Sequence, residues 1–278
     1  MGLAVAEGLL KKGGWNVHLL DVNAQRGQET ATKLGDRAHF YQTNVTSYAS
    51  LAGVFERVFK SEGRLDFVFA NAGIVERWNF YETHSGSGPP PEPDQAVIDI
   101  NLKAVISTSY LAQHYFRLCP TKDAAGQSLI MTASTGGLYK APFCSMYTAS
   151  KHGVVGFMRS IADHYYAHDN IRVNAICPSS VRTNLLDDSA WSEFPQEYFT
   201  PIEKIVETVL MLIEGGDLVD TKGVKIPQGK DFGRAVEISQ TNHYFREQVE
   251  YSDDVLRAMM AATDVAADET QDKRFAKS

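Results

Sequence analysis

Tyr147 and Lys151 stand four residues apart in the segment Tyr147-Thr-Ala-Ser-Lys151. Residues 145–168 carry helical apolar spacing, so the phenol and the ammonium share one helix face. A nearby ammonium favours the phenolate and lowers a tyrosine pKa from about 10 toward neutrality. An acid/base acting on an alcohol proton near neutral pH needs such a group. A Tyr-x-x-x-Lys pair can equally decorate a solvated helix, so its surroundings matter. Ser134 lies thirteen residues before Tyr147, at the end of the strand-like run 128–134. Ala70-Asn71-Ala72-Gly73 closes another apolar run, and Asn101 falls within a helical stretch at 95–118.

The elements that must hold these residues alternate along the chain. Residues 3–12 read as a helix stopped by Gly13-Gly14, and 16–21 as a buried strand ending on Asp21. Strand-like 38–45 precedes a helix at about 47–62, and LDFVFANAG (65–73) is a further apolar strand. After the helix at 95–118 and the strand at 128–134 come a helix at 145–168 and the strand 171–178. A helix at about 201–214 and a short strand near 223–227 close the repeating part, and from about 228 the pattern weakens. Helices alternating with apolar, β-branched strands predict a parallel sheet covered on both faces, a Rossmann-type doubly wound α/β fold. The Gly/Pro/Ser stretch 85–93 reads as a loop inside the domain. Residues 1–245 read as a single domain and 246–278 as a C-terminal extension, with the polar stretch 267–278 expected to be disordered.

Composition narrows the function classes. A hydrophobic fraction of 44% and a charged fraction of 22% suit a soluble globular chain. With a net charge of -7 and no basic stripe, nucleic acid is not an expected partner. No run reaches the roughly 18 apolar residues of a membrane span, and Glu7, Lys11 and Lys12 interrupt any signal-peptide-like start. The three cysteines, Cys119, Cys144 and Cys177, lack metal spacing and suit a reducing, cytoplasmic compartment; the eight histidines show no ligand pattern, and no metal is expected.

Taken together and in order, Asp21, the Asn71-Ala72-Gly73 turn, Asn101, Ser134, Tyr147-x-x-x-Lys151 and the Pro178 segment resemble the short-chain dehydrogenase/reductase family, from residue 2 to about 227. The resemblance implies a catalytic set of Asn101, Ser134, Tyr147 and Lys151. Tyr147 would exchange the proton with the substrate oxygen. Lys151 would lower the tyrosine pKa and hold the nicotinamide ribose, Ser134 would stabilise the substrate oxygen, and Asn101 would position a relay water. It further implies cofactor contacts from Gly2, Asp21, Asn44, Val45, Asn71, Ala72, Gly73, Tyr147 and Lys151. Ile176, Pro178, Val181 and Thr183 would sit beside the nicotinamide. A carboxylate about 20 residues past the glycine turn accepts bonds from the adenine ribose and repels a 2′-phosphate. Asp21 follows Gly2 by 19 residues with no positive charge in the next four, so NAD is the expected cofactor; Arg26 is the nearby counter-signal.

Asn44 stands where the family usually has aspartate. At the start, the family's first strand and its Thr-Gly-x-x-x-Gly-x-Gly phosphate turn are reduced to Met1-Gly2. The missing strand would be central, between 16–21 and 65–70, so two apolar strand edges are expected to be left unpaired. A truncated sequence is the expectation. The expected activity is hydride transfer between NAD(H) and a small-molecule secondary alcohol or ketone; the rival is a non-catalytic binding or scaffold protein retaining the tetrad. Trp78, Phe143, Trp191, Phe194, Tyr198 and Phe199, the last four in a presumed substrate loop at 185–199, suggest either an apolar pocket or packing and oligomer contacts. Cys144 is either a pocket residue or a small apolar filler. Gly136-Gly137 either leaves room for substrate or simply turns. The family commonly forms dimers or tetramers through the two long helices, so a homodimer or homotetramer is expected.

Overall fold

The computed structural model describes residues 1–120 and 126–263; the expectation of disorder at 267–278 lies outside them. The first half runs α1 (Gly2–Lys12), β1 (Val17–Asp21), α2 (Ala24–Leu34), β2 (Ala38–Gln42), α3 (Tyr48–Glu62) and β3 (Phe67–Ala70). A long loop then leads to α4 (Ala96–Ile98), a π-helical turn at Asp99–Lys103 and α5 (Ala104–Leu118). The second half runs β4 (Gln127–Thr132), α6 (Ser145–Asp169), β5 (Ile171–Pro178), α7 (Asp188–Ser192) and α8 (Ile202–Glu214). It closes with β6 (Leu218–Val219), β7 (Lys225–Ile226), β8 (Ala235–Ser239), β9 (Asn242–Arg246) and α9 (Asp254–Ala261).

Strands β3, β4, β5 and β8 are parallel in that order, and β9 adds antiparallel to β8. Alternate residues of β4 and β5 feed two cores, one on each face. Leu129, Met131, Val173 and Ala175 meet Phe116, Val154 and Met158 on the α5/α6 side. Ile130 and Ile176 meet Val5, Leu9, Ile205, Val209 and Leu212 on the α1/α8 side. That period-two division explains why β4 and β5 are continuous apolar runs: both faces are covered.

Strands β1 and β2 form a separate parallel pair, and no ladder joins β1 to β3. The two unpaired edges expected from the sequence are therefore seen. Their side chains are covered only in part: Phe67, Val68 and Phe69 are half-buried, whereas every residue of β4 is buried. Trp15 meets Phe67 edge-on at 6.5 Å between ring centres, an aromatic contact where a strand-to-strand ladder would otherwise run.

Three expectations need correction. The helix at 95–118 is interrupted by the π-helical turn around Asn101, which inserts a residue into the helical ladder. The strand 38–45 stops at Gln42, so Asn44 and Val45 lie in the following loop rather than at the strand's end. The strand near 223–227 is half of a small antiparallel ribbon, and the sheet is instead completed by the β8–β9 hairpin. That hairpin turns through Gln240-Thr241, with Gln240 in the left-handed region at φ 52°. Such turns favour glycine or asparagine, so the local signal was weak. The conformation is held from outside, by Thr200 Oγ1 accepting from the Gln240 amide at 2.9 Å.

Candidate active site

Ser134 follows β4 in an extended conformation, and its Oγ accepts the Gly136 N–H at 3.1 Å, starting a one-turn 3-10 helix at Thr135–Gly137. That turn carries the chain back over α6. A Cβ on Gly137 would lie 2.6 Å from the Lys151 carbonyl oxygen, so only glycine lets the turn come this close. The close approach brings Ser134 to Tyr147: a Cβ at Gly136 would lie 3.5 Å from both Ser134 Oγ and the Tyr147 ring.

Lys151, one helical turn beyond Tyr147, is only 2% exposed. Its Nζ lies 5.5 Å from the centre of the Tyr147 ring and donates to the Thr132 carbonyl at 2.7 Å. Burial pushes the lysine pKa down to about 8. Burial also pushes the Tyr147 phenol above its ordinary value, while the Ser134 hydroxyl nearby pulls it down. The lysine-driven lowering of the phenol expected from their spacing is therefore not what dominates here. Lys151 lies over the ring rather than at the hydroxyl, and loss of water disfavours both charged forms.

Asn101 sits in the π-helical turn, fully buried. Its Oδ1 accepts the Ile74 N–H at 2.9 Å, and its Nδ2 donates to the Ile74 carbonyl at 2.9 Å and to Ser150 Oγ at 3.1 Å. The side chain is thus a clamp on the loop after β3. A Cβ at Gly73 would meet Asn101 Oδ1 at 3.2 Å and Lys151 Nζ at 3.5 Å, which puts Gly73 between these two polar ends. Asn71 accepts from Thr132 Oγ1 at 3.1 Å, tying β3 to β4, and Gly2 at the start of α1 lies against the Asn71 amide.

The remaining site candidates spread along the carboxyl ends of the strands. Asp21 is exposed at the end of β1, its Oδ1 accepting the Asn23 N–H at 2.9 Å. Asn44 folds its Oδ1 onto the Thr46 N–H at 3.0 Å. Val45 lines a cleft of about 310 Å3 with Thr46, Asp99, Lys103, Ala104 and Ser107. Ala72 and Gly73 are exposed. Pro178 ends β5, while Ile176 and Val181 are buried in the α1/α8-side core. The Thr183 carbonyl accepts from Trp191 Nε1 at 2.8 Å. Trp191 is itself buried and packs edge-on to Phe199, so in the 185–199 segment it is a packing residue. Phe143 is 74% exposed next to the start of α6. Cys144 is buried, and loss of water raises its thiol pKa. Among the described residues no group of histidine, cysteine and acidic side chains could hold a metal. Nor, among those residues, is any helix long and apolar enough to cross a membrane.

Sequence reasoning missed Glu76. Its carboxylate, from the loop after β3, accepts the Met146 N–H at 3.3 Å and the Tyr147 N–H at 2.5 Å. No local signal could have found it, because the partners are some seventy residues apart. Thr132 and Ser150, which hold Lys151 and Asn101, were missed for the same reason.

A serine, a tyrosine and a lysine thus converge beyond β4, at the carboxyl end of a sheet of parallel strands lying between two helical layers. A sequence model of the short chain dehydrogenase family matches residues 1–193. The chain is 49% identical over 273 residues to the short-chain dehydrogenase/reductase prx7 of Penicillium rubens, covering 95% of this chain and 96% of that one. It is 32% identical over 204 residues to the human 15-hydroxyprostaglandin dehydrogenase [NAD(+)], covering 71% and 70%. Its fold is similar to that of a 3-ketoacyl-(acyl-carrier-protein) reductase from Brucella melitensis complexed with NADH, with a TM-score of 0.68 at 20% identity over 86% of this chain and 91% of that one. The chain belongs to the short-chain dehydrogenase/reductase family and is an oxidoreductase.

Proposed function

We propose that this enzyme transfers hydride between NAD(H) and an apolar secondary alcohol or ketone, with Tyr147 as its acid/base. The observation that carries the reading is the convergence of the Ser134 hydroxyl and the Tyr147 ring beside the buried ammonium of Lys151. In the oxidative direction Tyr147 takes the alcohol proton. Ser134 donates a hydrogen bond to the substrate oxygen and keeps it facing the phenol. Lys151 uses one of its three donors on Thr132 and has others for a ribose hydroxyl. Asn101 holds the loop carrying Gly73 at the distance that lets a ribose lie against Lys151.

The residues present fit the nicotinamide-ribose and adenosine ends of a nicotinamide dinucleotide, which when bound supplies the hydride acceptor, while of the phosphate turn only Gly2 is present. Exposed Ala72 and Gly73 leave its middle unobstructed, Asp21 offers a free carboxylate edge to the adenine ribose, and the cleft at Val45 suits the base. Gly2, Asn44, Asn71, Pro178, Val181 and Thr183 complete the groove in this reading. Asp21 favours NAD over NADP, and the bracket in the name of the human relative agrees in kind. Exposed Phe80, Tyr81, Phe143 and Tyr198 give the substrate side an aromatic rim, suited to an apolar molecule. Exposed Ile106, Tyr110 and Leu118 on α5 suit a homodimer or homotetramer, and a cytoplasmic site of action suits three free thiols. Residues 1–245 then form the catalytic domain.

A panel of apolar alcohols, followed by NADH absorbance, tests this reading. Tyr147→Phe should abolish turnover and leave NAD affinity within about threefold; retained turnover, or equal kcat/KM with NADP, counts against it.

A further inference from the structure

We propose that Glu76 is the positioning residue for Tyr147, setting the register of its phenol against Ser134 from the loop between β3 and α4. The inference rests on the assignment of Tyr147 as the acid/base. Helix α6 begins at Ser145, and its N-cap, Cys144, makes no side-chain capping bond. Ser145 Oγ has no partner, and Thr148 Oγ1 bonds back to the Ala141 carbonyl instead. Among the described side chains, Glu76 alone meets the open donors of the first turn, at Met146 N and at the amide of Tyr147 itself. A carboxylate there also faces the positive end of a 25-residue helix. The charge reaches into the same buried corner, since Glu76 contributes to raising the Cys144 thiol pKa.

The rest of the loop is tied down in the same direction. Ile74 is clamped by Asn101, and Tyr81 Oη donates to the Pro142 carbonyl at 2.9 Å, in the turn that leads into α6. Ser134 is fixed by β4, whereas Tyr147 is three residues into a helix whose start has no local stop. Glu76 supplies that stop. Its carboxylate is engaged by the Met146 and Tyr147 amides, and it acts through Tyr147.

The test uses an alcohol that the wild type turns over, with kcat normalised to the fraction of protein that binds NADH stoichiometrically. Glu76→Ala should lower the normalised kcat about ten- to a hundredfold, because a misplacement of about 1 Å at a reacting group costs up to about a hundredfold. The NADH Kd and the binding stoichiometry should stay within about twofold of wild type. Glu76→Gln, whose amide oxygen still accepts the Tyr147 N–H, should recover most of the rate. A normalised kcat unchanged in Glu76→Ala overturns the inference, as does a loss of stoichiometry with unchanged rate per site, or no recovery in Glu76→Gln. Tyr147→Phe run alongside separates the two levels: if that variant still turns over, the acid/base assignment itself fails.

Discussion

Gly137→Ala isolates the close approach on which the site depends. The added methyl would sit 2.6 Å from the Lys151 carbonyl oxygen, 2.9 Å from its carbon and 3.2 Å from Val155 Cγ2. Two of these atoms are helix backbone and cannot rotate away, so the turn at Thr135–Gly137 and α6 must separate. Forcing a methyl into a packed contact costs about 1–3 kcal/mol. For a chain of this size each kcal/mol lowers Tm by about 2–4 °C, so a fall of about 4–8 °C is expected at the middle of that range. The same displacement moves Ser134 from Tyr147, and kcat should drop about a hundredfold. Gly136→Ala is the matched control. Its methyl would meet only Ser134 Oγ at 3.5 Å and the Tyr147 ring at 3.5 Å, ordinary contact distances. Thermal melting followed by circular dichroism, with kcat measured on the same preparations, decides the matter. If Gly137→Ala melts with Gly136→Ala and keeps its kcat, the close approach is not what positions the two hydroxyls.

Two further variants probe the buried polar groups. Lys151 has a folded pKa of about 8 against an ordinary 10.5, so the unfolded chain holds more protons between these values and stability rises with pH across that window. The cost of burying the ammonium is present in full below about pH 8; Lys151→Met should remove it, abolish turnover and raise Tm at pH 7, and a lower Tm would contradict the burial argument. Asn101→Ala strips the half-buried Ile74 N–H and carbonyl of their partners, which should cost about 1–3 kcal/mol and weaken NADH binding in a fluorescence titration. Unchanged NADH affinity in that variant would mean that the Ile74 clamp does not shape the groove.

The fold class and most of the converging residues were legible in the sequence because they rest on local patterns. Apolar runs such as SLIMTAS and IRVNAICP announce strands covered on both faces, and Tyr147 and Lys151 share a helix face by spacing alone. The β8–β9 hairpin escaped because its turn lacks glycine and borrows support from Thr200. The break in the helix at Asn101 escaped because a π-helical turn has no composition of its own.

What the sequence determined by itself is the list of chemical groups and the strand ends that carry them. What tertiary structure alone decided is their environment. Spacing implied that Lys151 would draw the Tyr147 pKa down, yet both groups are desolvated, and burial moves the phenol up and the lysine down to about 8. Asn101 is a clamp on Ile74, and Glu76 holds the amide of Tyr147 from seventy residues away. Charge and hydrogen-bond energies depend on what surrounds a group through space, and elements distant in the chain supply those surroundings.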